Sequence, residues 1–116
     1  MKLKSYIQLA MDAARRDIDD MRLHAVGSLG VRTDGTIVRS RNGSSKLPLP
    51  EAHAEFRLCD KLDYGTPFVF VARVRKNGDC GLAKPCDNCL TKLIQKAVKK
   101  IYFTTNIKDE YGVIEL

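Results

Sequence analysis

The chain has 116 residues, enough for one domain, and its 44% hydrophobic and 29% charged residues are typical of a globular protein rather than a disordered one. The formal net charge of +6 favours negatively charged partners such as a phosphate, a nucleotide or a nucleic-acid strand. No apolar run is long enough to cross a bilayer, and charged residues interrupt the N-terminal segment where a signal peptide would be apolar. We therefore predict a single domain over residues 1–116, with no membrane partner, in the reducing cytoplasm where its four cysteines remain thiols.

The N-terminal half of the chain predicts a helix followed by a β-hairpin. Thr33-Asp34-Gly35 is a turn signal between two runs rich in Val, Ile and Leu, which indicates the hairpin. Glycine, serine and proline residues over 43–50 then mark a loop. The helix precedes the hairpin and is predicted from apolar residues at spacings of three and four: Leu3, Tyr6, Ile7, Ala10, Ala14 and Ile18.

The C-terminal half alternates predicted helices and strands. One helix is predicted over 51–62, and a second runs from about Cys86 to Lys99. Between them, residues 67–74 form a strand whose continuous apolar start favours a central position in a sheet. The residues expected to face inward on the two helices are Ala54, Leu58, Cys59 and Leu62 on the first, and Leu90, Leu93, Ile94, Ala97 and Val98 on the second.

Two further strands, IYFTT and YGVIEL, complete the predicted sheet. The segment between them, 106–110, is too short to hold a crossover helix, so these strands should pair antiparallel. The order α, β, β, α, β, α, β, β predicts an α/β domain with a mixed five-stranded sheet and helices on its faces.

Two fragments carry the chemistry, His53-Ala54-Glu55 and Pro85-Cys86-Asp87-Asn88-Cys89, and each lies at the start of a predicted helix. Cysteines separated by two residues at a helix start can both reach one ion, and the helix N-terminus favours their thiolate form. With His53 from the other helix, the set offers one imidazole and two thiolates, which suits Zn²⁺. Three protein ligands leave one position for water, as in catalytic zinc sites.

Glu55 lies two residues after His53, where a carboxylate could move the protons of a hydrolysis. It can take a proton from a zinc-activated water, deliver it to a ring nitrogen and later pass one to a departing amine. Outside this context the same residues have plainer interpretations. Cys-x-x-Cys can be a redox pair or half of a structural zinc site, and an acid near a helix N-terminus is stabilised by the helix dipole.

The sequence resembles the cytidine and deoxycytidylate deaminase superfamily, whose H-x-E and P-C-x-x-C signature it carries. His53, Glu55, Pro85, Cys86 and Cys89 match that motif residue by residue, and the resemblance runs from the first helix to the last strand. It implies a three-layer α/β/α fold, with the C-terminal hairpin of the cytidine deaminase branch. It also implies a zinc-dependent hydrolytic deaminase that converts a cytosine base to uracil in a nucleoside or nucleotide.

The resemblance further implies contacts with a substrate. Asn42 resembles the asparagine that contacts the sugar, and the backbone N–H of Ala54 would face the base. Pro85, directly before the cysteines of the motif, is a further expected substrate contact. His24 stands where nucleoside deaminases tend to place a phenylalanine over the base, and Ser44 stands where they carry a glutamate that binds the ribose. Deaminases of this branch are often tetramers whose neighbours complete the active site, which implies a homo-oligomer.

Basic residues in two predicted loops beside the site suit a phosphate on a nucleotide or on a strand. A deaminase acting on single-stranded DNA or RNA is therefore one alternative, although the chain lacks a clear aromatic stacking platform. A non-catalytic zinc-stabilised module is another, but a structural site would not need Glu55. A purine or guanine base is a further alternative substrate. The basic residues concerned are Arg39, Arg41, Lys46, Arg75, Lys76 and Lys84.

Three residues near the motifs have plain alternatives as well. Asn42 precedes a glycine, a dipeptide common in turns, and His24 has a structural role as its alternative. The two remaining cysteines are not expected to be ligands. Cys59 is predicted to be a small core residue and Cys80 a spare thiol in a loop.

Overall fold

Three α-helices and six strands make up the part of the chain that the computed structural model describes, residues 2–14, 25–42 and 53–116. None of these helices combines the length and the apolar composition that a membrane crossing requires. The helices are α1 (Leu3–Ala14), α2 (Ala54–Leu58), which continues into a 3-10 turn (Cys59–Lys61), and α3 (Asp87–Gln95). The strands are β1 (Ala25–Val31), β2 (Ile37–Arg41), β3 (Phe68–Val74), β4 (Cys80–Gly81), β5 (Lys100–Thr104) and β6 (Tyr111–Glu115).

The strands form one mixed sheet in the order β2-β1-β3-β5-β6, with the two-residue β4 paired to the end of β3. β3 and β5 are parallel, and α3 lies in the crossover that joins them. The other pairs are antiparallel, including β5 with β6. The predicted mixed α/β sheet and its antiparallel last pair are therefore confirmed, and β4 is a sixth strand that the pattern did not reveal.

The sheet lies between α1 on one face and α2 with α3 on the other, because the central strand β3 carries apolar side chains on both of its faces. On the α1 face, Phe70 stacks between Tyr6 and Tyr102, with ring centroids 4.9 and 5.3 Å away. On the opposite face, Val69 and Val71 are fully buried in the cluster that includes residues of α2 and α3. The predicted central position of this strand and the three-layer arrangement are confirmed.

The hairpin and the first two helices follow the sequence pattern closely. Gly35 has a φ of +85°, so the turn between β1 and β2 uses the freedom of glycine, and Asp34 accepts a hydrogen bond from the Thr36 N–H. The predicted positions of Ile18 and of the loop over 43–50 lie outside the described residues. The residues expected to face inward from 54 to 62 are all buried: Ala54, Leu58, Cys59 and Leu62.

The third helix is shorter than predicted and ends at Gln95 rather than at Lys99. Ala97 takes a left-handed φ of 55°, its N–H donates to the carbonyl of Ile94, and the Val98 N–H donates to the carbonyl of Leu93. These two bonds make a Schellman motif with alanine at the position that glycine usually occupies. Without a glycine the sequence carried no stop signal. The prediction that Ile94 faces inward was wrong, since Ile94 is 53% exposed beside the buried Leu93.

Gly27 is the point where α1 approaches β1 most closely. A Cβ atom at this position would overlap backbone atoms of Ala10 and Ala14, which cannot move unless the whole helix shifts. We expect Gly27→Ala to lower the free energy of unfolding by roughly 1–3 kcal/mol, measured by urea denaturation. The exposed helix substitution Ser5→Ala should change it by less than about 0.5 kcal/mol. Equal effects of the two substitutions would show that α1 does not pack on β1 in this way.

Candidate metal centre and pocket

The first half of the candidate site is the start of α2. His53 is the N-cap residue, and its carbonyl accepts a hydrogen bond from the N–H of Arg57. Its imidazole is therefore attached at the point where the helix begins. The fully buried Ser28 of β1 donates its hydroxyl hydrogen to the carbonyl of Ala54 at 2.9 Å. This bond ties the His53-Ala54-Glu55 segment to the neighbouring strand of the sheet.

The second half is the start of α3. Cys86 is the N-cap residue, its carbonyl accepts from the Leu90 N–H at 2.8 Å, and Cys89 follows in the first turn. The segment before Cys86 is anchored to β5, because the Ala83 N–H donates to the carbonyl of Thr104 at 2.9 Å. The two helix starts therefore meet beside the sheet, and each presents part of the motif.

His53, Cys86 and Cys89 converge on one point. The Nδ1 atom of His53 lies 3.3 Å from Sγ of Cys89 and 3.4 Å from Sγ of Cys86, and all three ligand atoms lie within 4.8 Å of one another. Zn–S bonds near 2.3 Å and Zn–N bonds near 2.0 Å in a tetrahedron place sulfur and nitrogen about 3.5 Å apart. The donor set and its spacing thus fit a zinc ion held by these three residues.

Glu55 is buried beside this cluster, with 6% of its surface exposed. Burial raises the pKa of its carboxyl group, and a hydrogen bond from its own backbone N–H and the charge of His53 oppose that rise only in part. Burial also raises the pKa of the Cys89 thiol, and the charge of Glu55 raises it further. A divalent cation would favour the charged forms of both groups, so the electrostatics of the cluster also fit a metal.

A pocket of about 240 Å³ opens at this cluster, a size that suits one small ligand. Asn42 is held on the wall of the pocket by two hydrogen bonds with Val26. The Asn42 N–H donates to the Val26 carbonyl, and the Asn42 side-chain oxygen accepts from the Val26 N–H, both at 3.0 Å. Together the lining residues are Val26, Asn42, His53, Ala54, Glu55, Arg73, Leu82, Ala83, Lys84 and Cys86.

The structure therefore brings together most of the residues that the sequence singled out. Asn42 and Ala54 line the same pocket as Glu55, although they lie in different segments of the chain. Pro85 is buried directly before Cys86 and is not one of the lining residues. His24 lies outside the described residues.

Among the described lining residues, Arg73 is the charged one that sequence reasoning missed. It sits near the end of β3, in a segment identified only as a strand. The alternation of that strand was a usable signal, since Arg73 shares a face with Val69 and Val71. That face is the one that packs against α2 and α3, the helices that carry the motifs.

The basic residues predicted at the mouth of the site divide among different surfaces. Lys84 lines the pocket, whereas Arg39 and Arg41 line a separate groove. Arg75 donates a hydrogen bond to the side-chain oxygen of Asn106 and lines a third cavity. Lys76 is exposed, and Lys46 lies outside the described residues.

The two remaining cysteines lie away from the cluster of ligand atoms. Cys59 is fully buried in the core, and burial raises its pKa to about 11. Cys80 lies 3.6 Å from the sulfur of Met11, on the other side of the sheet. Neither residue belongs to the group of three that could hold a metal within the described ranges.

Comparison with known proteins identifies the fold. No protein-family model and no curated protein sequence matches the chain. Solved structures do match: the cytidine deaminase from Burkholderia pseudomallei is 19% identical, with a TM-score of 0.66 over 99% of this chain and 93% of its own. The chain has the cytidine deaminase fold.

Two other solved structures with the cytidine deaminase fold give the same result. The cytidine deaminase from Mycobacterium leprae is 18% identical, with a TM-score of 0.59 over 97% of this chain and 93% of its own. A point mutant of the cytidine deaminase from Mycobacterium tuberculosis is 17% identical, with a TM-score of 0.55 over 97% of this chain and 99% of its own. The fold predicted from the resemblance is confirmed over nearly the whole chain.

If the three residues bind zinc, the metal content should depend on them and not on the other thiols. We expect purified protein to carry about one zinc per chain, and Cys89→Ser to lose most of it, because a neutral hydroxyl replaces a thiolate ligand. Cys80→Ser removes a thiol outside the cluster and should keep the zinc. Elemental analysis by mass spectrometry after dialysis measures both variants. Equal zinc in both would contradict the assignment.

Proposed function

We propose that this protein is a zinc-dependent hydrolytic deaminase that converts a cytosine base to uracil in a nucleoside or nucleotide. The observation that carries the proposal is the buried carboxyl of Glu55 beside a His53, Cys86 and Cys89 cluster with zinc-binding spacing. The fold supports it, because the three solved structures compared above are cytidine deaminases. Such an enzyme is a hydrolase acting on the C–N bond of a cyclic amidine.

The residues of the pocket divide the work of this reaction. Zinc bound at the cluster would supply Lewis-acid activation of the attacking water. Glu55 takes a proton from that water and gives it to the ring nitrogen of the base as oxygen attacks the carbon bearing the amine. Glu55 then takes the proton of the new hydroxyl group and passes it to the amine. The C–N bond breaks, and uracil and ammonia are the products.

The surroundings of Glu55 suit a group that both accepts and donates protons. A carboxyl group in water is almost fully ionised near neutral pH and has no proton to donate. Burial raises the pKa of Glu55 and so favours its protonated form. Asn42 and the start of α2 at Ala54 lie on the walls of the same pocket, where they could hold a sugar and a base. The side chain that moves protons and the groups that position the substrate thus share one small space.

The test is Glu55→Gln, which keeps the size and shape of the side chain but cannot carry a proton between water and base. Cytidine, deoxycytidine and their monophosphates are incubated with both proteins, and uracil products are measured by mass spectrometry. We expect wild-type turnover and a loss of about 100-fold to 10,000-fold in the variant. Zinc content should remain at the wild-type level, since Glu55 is not a ligand.

Glu110→Gln is the matched control, because Glu110 is an exposed acid outside the pocket. It should keep wild-type turnover and zinc. If wild-type protein with a full complement of zinc converts no cytosine substrate, the cytosine assignment fails. Zinc-stabilised binding, or another base, then becomes the better description of the site.

A single-stranded nucleic acid is the second candidate substrate, and a basic groove favours it. Arg39, Arg41, Arg57 and Lys61 line this groove, and Arg41 is followed directly by Asn42 of the pocket. Strand binding through these residues would release counterions. Affinity for a cytosine-containing oligonucleotide should then fall steeply between 50 and 200 mM salt, by roughly tenfold per contacted pair of phosphates. Fluorescence anisotropy measures this dependence. A flat response would remove the strand from consideration.

A further inference from the structure

Arg73 is a charged residue in a row of side chains that is otherwise apolar. Val69 and Val71 precede it on the same face of β3, and both are fully buried. Arg73 continues the row beyond the core, where it is half-buried and lines the pocket with Glu55. Another valine would serve the packing of this face, so the guanidinium group calls for a different explanation.

The position of Arg73 is fixed by its neighbours. Its backbone N–H donates to the hydroxyl of Thr104 at 3.0 Å, and that hydroxyl donates to the carbonyl of Gly81 at 2.7 Å. Gly81 is the register partner of Arg73 in β4. A Cβ atom on Gly81 would lie 3.0 Å from Cδ and 3.2 Å from Nε of Arg73, so the arginine side chain rests against this glycine. The backbone and the stem of the side chain are held before any ligand arrives.

The guanidinium group itself is left available to a ligand. Across the described ranges, it makes no hydrogen bond or ion pair with a protein group, and neither does the ammonium group of Lys84. Both cations line the pocket, and Glu55 is the one carboxylate among the described lining residues. The described part of the pocket wall therefore carries a surplus of positive charge, which a neutral base and sugar would not use.

We propose that Arg73, together with Lys84, forms an anion subsite that binds a phosphate group of the substrate. The inference rests on the proposed deaminase function and narrows it, because it makes a phosphorylated cytosine compound the preferred substrate over a free nucleoside. The planar guanidinium group offers two parallel N–H donors to phosphate oxygens, and Lys84 adds a second charge. The phosphate belongs either to a mononucleotide or to a strand.

The experiment compares kcat/KM for cytidine, for its 5′- and 3′-monophosphates and for a short cytosine-containing oligonucleotide. Arg73→Ala is expected to lower the ratio of monophosphate to cytidine by roughly tenfold to a hundredfold, the usual effect of losing a charged hydrogen-bond donor. Arg75→Ala is the matched control, because it removes the same charge two residues further along, outside the pocket. It should leave the ratio unchanged. Arg73→Lys, which keeps the charge without the paired donors, should give an intermediate ratio.

The outcomes distinguish a phosphate on a mononucleotide from a phosphate on a strand. They also distinguish a failure of the anion subsite from a failure of the proposed deaminase function. Loss confined to the oligonucleotide would assign the phosphate to a strand, and loss confined to a monophosphate would assign it to a nucleotide. If Arg73→Ala, with normal zinc content and thermal stability, leaves both the monophosphates and the oligonucleotide unchanged relative to cytidine, the subsite is overturned.

If wild-type protein deaminates no cytosine compound, the proposed function fails but the subsite can still be tested by calorimetry. Zinc-loaded wild-type protein should then bind cytidine 5′-monophosphate at least tenfold more tightly than Arg73→Ala does. Equal affinities of the two proteins for this compound and also for the oligonucleotide would overturn the anion subsite independently of catalysis.

Discussion

Two buried hydroxyl groups hold the two halves of the candidate site in place. Ser28 donates to the carbonyl at the start of α2, and Thr104 donates to the carbonyl of Gly81 just before the segment that leads into α3. Both residues are fully buried, so each bond replaces one that the hydroxyl group would make with water in the unfolded chain. Together with the bond from the Ala83 N–H to the Thr104 carbonyl and the core packing of α2 and α3, these anchors fix the two helix starts relative to the sheet.

The electrostatics of the cluster follow from that placement. Burial raises the pKa of both Glu55 and Cys89, and the charge of Glu55 raises that of Cys89 further, so the metal-free interior disfavours the charged form of each group. The free-energy cost of burying them is offset when a cation binds. Selectivity has a different origin, the ligand types: two thiolates and one imidazole favour a metal that accepts sulfur and nitrogen together. Burial also prepares Glu55 for proton transfer, so one feature serves both binding and the proposed chemistry.

Much of this could be predicted from the sequence, and the rest could not for identifiable reasons. The alternating strands, the turn at Gly35 and the two short motifs at His53 and at the cysteines are local signals, and the structure confirms the fold that they indicate. The end of α3 was placed too late because Ala97 adopts a conformation usually reserved for glycine. β4 is too short to show a periodicity. The metal, the substrate, the homo-oligomer and the cytoplasmic location stay predictions.

The net charge of the chain was the least specific of the sequence signals, and its distribution in the fold is what gives it meaning. The positive charge that favours an anionic partner is divided among a groove beside β2, a cavity near Asn106 and the pocket itself. Lys61 and Arg57, two of the basic residues that line the groove, donate hydrogen bonds to the backbone carbonyls of Arg39 and Arg41 at the open edge of the sheet. Those bonds protect an edge strand from pairing with another chain.

A structural role of that kind explains Lys61 and Arg57 without a ligand, but no such bond explains Arg73 within the described residues. Its guanidinium group emerges on the pocket wall because strand alternation carries it to the face of the sheet that bears both motifs. Substrate choice in this protein would then depend on a single position in the central strand, where the row of buried valines gives way to a charge. The sequence pattern identifies position 73 only as the end of an apolar strand. In the folded sheet, Arg73 lines the same pocket as Glu55, the residue proposed to move protons.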